Sequence, residues 1–304
     1  MTRDNEYPRV AAVTLYVPVP RAITDEMASI SYSAHRRQEV SLTLTMNDPL
    51  ECLSPTTLRW GPLRVINEDI VAPKQGFGKH PHRTFEIFSY PLEGSLRHDD
   101  SMGHSEIIGR GDVQFTSAGT GIAHSEYNAS KEKQVKFLQI WLTPSREGLK
   151  PRYETKRFED EEKADRLLPI VAQGGRGGAI ACDNAAAVYA SILSEGKRLT
   201  HEFDGGAAGA GSGSATSETK ASGESETTSV SVSAASKSRV GYMHVPLVPG
   251  STSKGLKLST GVVLKPGDGA YVKIADGARG ADASLSFEAV GGATEFILFD
   301  MTDA

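Results

Sequence analysis

The sequence predicts an all-β protein built as two tandem barrels, and three observations carry that prediction. From Leu63 to about Leu142 short β-like runs follow one another, LRVINEDIV, FEIFSYPLEG, SEIIG, DVQFTSAG and VKFLQIWL, separated by Gly, Pro and Asp turn signals. A second series follows after a charged stretch: AAVYASILSEG, GYMHVPLVPG, LSTGVVLKPGDGAYVKI, ASLSFEAVG and TEFILFDM. Both series also contain the same texture of strand, Gly-Asp turn and strand, GRGDVQF in the first and KPGDGAYV in the second, as a duplicated β-barrel would show.

Taken in order, residues 1–57 offer only short alternating pieces such as Val40 to Thr45, and are read as a segment able to add strands to the first barrel. Residues 58–150 form the first barrel. A connector, 151–180, contains PRYETKRFEDEEKADRLLPIVAQGG and the best candidate for a short helix, about Glu159 to Leu167. Residues 181–304 form the second barrel, interrupted at 205–238. Of those 34 residues 27 are Gly, Ala, Ser or Thr, so the interruption cannot bury enough apolar surface to offset its ordering entropy and is read as a disordered surface insertion.

Composition narrows the function. A formal net charge of −5 argues against general attraction to nucleic acid or acidic lipid, so neither direct nucleic-acid binding nor membrane association is expected. Two cysteines, Cys52 and Cys182, cannot build a disulfide framework and are read as reduced thiols in or near a core. The opening MTRDNEYPRVAAVTLYVPVPRAITDE lacks the basic region, apolar run and cleavage site of a secretory signal, and no run reaches the length needed to span a bilayer. Cytoplasmic or nuclear residence is the expectation.

The chemistry concentrates in two places. In GFGKHPHRTFEIF, His80, His82 and Glu86 share strand parity and face one interior if the strand stays extended. Pro81 cannot donate to a ladder, which puts this stretch at a strand's beginning or on an edge, as at a barrel mouth. In GDVQFTSAGTGIAHSEYN, His124 and Glu126 project together. Two hairpin lengths separate the clusters, so antiparallel strands can bring them face to face. Three neutral imidazoles and one carboxylate suit one divalent ion such as Fe(II), Mn, Ni, Cu or Zn. Parity alone leaves open whether Glu86 or Glu126 is the carboxylate. His98, His104, His201 and His244 are read as hydrogen-bonded or exposed, with His104 nearest the pocket mouth. Phe77, Phe85, Phe88, Phe115 and Met102 are candidates for an apolar pocket wall.

GFGKHPHRTFEIFSYPLEG resembles the first cupin motif, and GTGIAHSEYN the second, through Gly121, His124 and Asn128. The ordered set HPHR, LEG, HDDSMG, GDVQ and SAGTGIAHSEYN resembles, more specifically, the pirin family of two-domain cupins, over about residues 60–304 apart from the insertion. The resemblance implies two tandem cupin barrels and one metal, most commonly iron, in the first, held by His80, His82, His124 and Glu126, with Glu86 beside them. It further implies quercetin 2,3-dioxygenase-type chemistry, in which Glu126 or Glu86 takes the 3-hydroxyl proton of a flavonol and dioxygen opens the heterocycle with release of carbon monoxide. The alternative it implies is an iron-dependent, redox-sensitive transcriptional co-regulator that acts through protein partners without catalysis. The sequence departs from the family upstream of Trp60, where the usual closing strand is absent. It departs again at Thr84, where eukaryotic members commonly have glycine, and in the second half, which has no His-x-His pair and is expected to hold no metal.

Overall fold

Alternating apolar runs of five to nine residues between glycine turns pair as strands because each buries one face and satisfies its backbone laterally. The computed structural model describes residues 60–203 and 238–303, with the backbone of Val13–Tyr16 and Leu44–Thr45. The expected insertion therefore lies outside the described residues, Ser238 excepted, as does Cys52.

The first half is one curled eight-stranded sheet. It comprises β2 (Leu44–Thr45), β3 (Leu63–Val71), β4 (Gly76–Glu93), β5 (Ser95–Asp100), β6 (Ser105–Gly109), β7 (Asp112–Asn128), β8 (Val135–Leu142) and β9 (Arg152–Arg157). The order is β2-β3-β8-β4-β7-β5-β6, with β9 on the free part of β7. Strands β3, β6 and β8 coincide with predicted runs. β4 is longer than expected, because GFGKHPHR continues into FEIFSYPLE as one strand. Pro81 lies mid-strand, yet β4 pairs with β8 only from Glu86 onward, so around Pro81 the strand is bonded to β7 alone. That one-sided pairing is what makes a proline tolerable there.

The predicted helix shrinks to one turn, α1 (Asp160–Lys163), opened by a capping box between Glu159 and Glu162. It stops because Ala164 bridges to Ile192 and Asp165 adopts a left-handed conformation. Nor is the rest of the connector unpaired, since β9 joins the first sheet and β10 (Leu168–Gln173) the second.

The second half is a two-sheet barrel. Its larger sheet contains β1 (Val13–Tyr16), β10, β11 (Ile180–Cys182), β12 (Ala186–Leu193), β14 (Arg239–His244), β17 (Gly269–Ile274) and β19 (Thr294–Thr302). The smaller sheet contains β13 (Arg198–Glu202), β15 (Gly255–Leu258), β16 (Val263–Leu264) and β18 (Ser284–Val290). The N-terminal segment is thereby shared: β2 pairs with β3 in the first half, whereas β1 pairs with β17 in the second. No described helix is long and apolar enough to cross a membrane.

The two halves pack sheet on sheet. Phe88, Tyr90, Phe115, Leu138 and Ile140 from the first half and Ile170, Val188, Tyr242, Ile297 and Phe299 from the second form one continuous buried cluster. Polar bridges cross the same interface. Trp60 Nε1 donates to Gly241 O at 2.6 Å, Glu68 accepts from the Leu247 amide at 2.8 Å and contacts His244 at 3.1 Å, and Tyr90 donates to Glu295 at 2.6 Å. Phe88 and Phe115 stack on each other here, so they belong to the joint between the halves and not to a pocket wall as expected.

Candidate metal centre

The histidines of β4 and β7 meet because the two strands pair antiparallel, with His80 opposite His124 and His82 opposite Ile122. The three rings form a near-equilateral group with centroid separations of 4.6 Å, 4.7 Å and 4.7 Å, and their ligand-capable nitrogens lie within 4.8 Å of one another. His80 Nε2 and His124 Nε2 are 3.2 Å apart. His80 Nδ1 donates to Gly78 O at 2.7 Å, which leaves its Nε2 lone pair facing the other two rings.

Electrostatics keep His82 and His124 neutral. Burial, then the neighbouring His80, push His82 down to about 4; burial, then His82, His80 and His98, push His124 down to about 2. His124 Nδ1 is buried without a hydrogen-bond partner. Neutral, converging imidazoles of this kind are donors for a borderline divalent ion, and two nitrogens each about 2.1 Å from one ion sit roughly 3.0–3.4 Å apart. The observed 3.2 Å fits that requirement.

The two expected carboxylates part company. Parity on β4 does not run through from His82 to Glu86, because Thr84 adopts φ 67° opposite an extra residue on β7 at Thr120–Gly121. After this bulge the odd residues turn inward: Phe85 lies 5.6 Å from Trp141, and Ser89 bonds Glu126. Glu86 is thrown to the opposite face. There it accepts the Asp183 amide at 3.0 Å and 3.1 Å and Asn184 Nδ2 at 3.0 Å, both from the second half. The expectation that Glu86 stands beside the histidines as ligand or base is therefore corrected.

Glu126 does point into the first barrel, two residues beyond His124. Its carboxylate is not in the three-histidine cluster; Ser89 Oγ donates to Oε1 at 3.0 Å and Gln139 Nε2 to Oε2 at 2.8 Å. Burial, with Asp69 adding like charge, raises it to about 7 despite those two bonds. Below it an apolar plug of Val71, Leu96, Ile108, Val135 and Phe137, with Phe77 against it, closes the barrel floor.

Sequence reasoning missed two groups. His98 was read as bland, yet its fully buried ring lies 5.0 Å from His124, with Asp100 Oδ2 3.7 Å from its Nε2. Asp100 also contacts His104 Nδ1 at 2.9 Å, and the His104 ring stacks on Tyr153 at 4.3 Å, so this row runs from the histidine group to the surface. The signal was present, since His98 and Asp100 repeat the i,i+2 spacing of the other candidate residues. Trp141, the second miss, leans on His82 at 5.0 Å; the alternation Val135, Phe137, Gln139, Trp141 along β8 marks its inward column. Met102 sits in the turn beside this row, its amide bonded to Asp100 Oδ1 at 2.8 Å. His201 pairs with Asp300 and His244 with Glu68, away from the site. The Cys182 thiol is buried and pushed up to about 12, chiefly by desolvation, which fits an inert core cysteine.

Comparison with known proteins agrees with this geometry. The family model described as Pirin matches residues 33–142. Quercetin 2,3-dioxygenase of Escherichia coli (strain K12) is 45% identical over 121 residues, 40% of this chain and 52% of that protein. A pirin-like protein of Caulobacter vibrioides is 37% identical over 118 residues, 39% of this chain and 50% of that protein. The chain thus spans about half the length of these curated relatives. Among solved structures, the bacterial pirin YhhW of Escherichia coli in complex with nickel(II) superimposes with a TM-score of 0.61 at 23% identity, covering 98% of this chain and 95% of that one. Quercetin 2,3-dioxygenase from Acinetobacter baumannii gives a TM-score of 0.53 at 17% identity, over 80% and 75% of the two chains. The architecture is that of two tandem cupin barrels, and residues 33–142 are similar to the pirin family.

Proposed function

We propose that this protein is a metal-dependent dioxygenase of the quercetin 2,3-dioxygenase type, taking a flavonol-like compound and dioxygen. The observation that carries the reading is the convergence of three imidazoles, His80, His82 and His124, at the mouth of the first barrel. They would hold one divalent ion, Fe(II) in the first place, with nickel the ion present in the similar pirin structure. When bound, the ion supplies Lewis-acid polarisation of substrate oxygens and a fixed template for them.

The remaining work falls to the chain's own side chains. Glu126 is assigned the carboxylate role at the site, as fourth ligand and as the group that takes the substrate hydroxyl proton. A carboxylate two residues from His124 on the same strand face offers both a donor oxygen and a proton acceptor. Ser89 and Gln139 aim it by holding both oxygens. Trp141 and Phe85 offer an aromatic wall beside His82 against which a flat ring system can pack.

Loading the purified protein with Fe(II) or Ni(II), measuring bound metal, and following quercetin absorbance tests this directly. Stoichiometric metal and metal-dependent quercetin loss, both abolished in His124→Ala, are expected. A metal-loaded protein that turns over no flavonol overturns the activity, and a protein that binds neither ion overturns the site.

A further inference from the structure

The histidine stretch of β4 is weakly tied by its own sheet. Residues from Gly76 to Phe85 have β7 on one side and no pairing with β8, which begins at Glu86↔Leu142. Within that stretch Thr84, a β-branched residue, sits at φ 67°. Such a conformation is strained for a β-branched residue and persists only where the surroundings over-determine it. The bend it makes aims His82 and Phe85 into the barrel mouth.

The nearest anchor is two residues on, and it comes from the other half. Glu86 is 1% exposed, and its carboxylate takes three bonds from the turn that links β11 to β12: two from the Asp183 amide, one from Asn184 Nδ2. The same turn reaches the segment after β8, where Ser145 Oγ donates to Asp183 O at 2.6 Å and Oδ2 at 2.8 Å, and Arg146 Nε lies 3.2 Å from Oδ1. That segment continues directly from the end of β8, where Trp141 leans on His82. One turn of the second half thus grips both walls of the mouth.

We propose that the Asp183–Asn184 turn of the second half is a positioning element for the metal site, holding the bend at Thr84, and with it His82, through Glu86. The inference rests on the metal-site reading of the three histidines. Glu86 becomes a positioning residue: it touches no substrate and no ligand nitrogen, and acts through the strand that bears His82. It also gives the second half a task in the chemistry of the first.

The alternative, that this contact merely joins the halves, is separated by a control elsewhere on the same interface, where Glu295 accepts from Tyr90 and Arg110. Ni(II) affinity by calorimetric titration and apo-protein melting temperature are measured for wild type, Glu86→Ala, Glu86→Gln, Asn184→Ala and Glu295→Gln. Glu86→Ala and Asn184→Ala are expected to weaken Ni(II) binding by roughly tenfold, the scale of lost support around a ligand. Glu86→Gln, which keeps a carbonyl acceptor for the Asp183 amide, recovers most of that affinity. Glu295→Gln lowers the melting temperature and leaves Ni(II) affinity unchanged. Undiminished affinity in folded Asn184→Ala and Glu86→Ala overturns the proposal, as does an equal loss in Glu295→Gln, which would mean general loosening. If wild type itself binds no Ni(II), the metal-site reading falls, and this inference with it.

Discussion

The two barrels share a fold and differ in what they enclose. Inside the second, Leu193, Phe203, Met243, Leu256, Phe287, Phe296 and Leu298 belong to a packed core of sixteen buried apolar residues among those described. Inside the first, the comparable cluster has five, Val71, Leu96, Ile108, Val135 and Phe137, confined to the floor. The volume above that floor is given to Glu126, Ser89, Gln139, His98, Asp100 and the three site histidines. An interior lined by polar groups buries less apolar surface and bears desolvation costs, so the first barrel gains less from burial and leans on its joint with the second. One barrel is filled with apolar side chains; the other gives its interior to polar groups and the three histidines.

This contrast can be broken by substitution, and the largest effect is expected at the three histidines. His82→Ala removes one of the three donors and should abolish stoichiometric Ni(II) or Fe(II) binding, as read by metal analysis after gel filtration, with little change in apo-protein melting. Melting that collapses along with metal binding would mean the site is also a structural keystone. Phe296→Ala in the second barrel should do the reverse. It opens a cavity in a filled core at a cost of about 3–5 kcal/mol in chemical denaturation, while Ni(II) affinity of the folded protein holds.

A third effect concerns Glu86. Burial raises its folded-state value to about 7 from an ordinary 4.5, so the folded protein binds this proton more tightly than the unfolded chain. Its contribution to apo-protein stability is complete below about 4.5 and is lost as pH rises to about 7, an effect of about 3 kcal/mol. Glu126, raised to about 7 as well, acts in the same sense. Denaturant midpoints measured between those pH values should fall with pH in wild type and fall less steeply in Glu86→Gln. An unchanged slope would show that Glu86 titrates normally and is better solvated than its burial suggests. The smallest expected effect is Thr84→Gly. Glycine adopts a left-handed conformation freely, so stability should rise by up to about 1 kcal/mol; no gain would show that the bend stores no strain.

Much of this was legible beforehand for a local reason. Strand series, the duplicated pattern and the pairs His80/His82 and His124/Glu126 depend on side chains alternating along an extended chain, which needs no knowledge of distant residues. His98 and Asp100 carried the same signal and were passed over because no second pair stood beside them. Glu86 was misplaced for a different reason. Its side depends on one left-handed residue at Thr84 and an extra residue on β7, and neither can be read from parity.

The sequence by itself thus determined the all-β architecture, the division into two halves and the histidines that meet at the mouth, because periodicity and residue chemistry are local properties. Only the tertiary structure decided which glutamate faces inward, that Trp141 and His98 border the site, and that Asp183 and Asn184, nearly a hundred positions along the chain, hold the strand bearing His82. Those outcomes depend on register, bulges and the packing of one half on the other. They are settled by which backbone groups find partners across the whole fold, a balance that no short window of sequence contains.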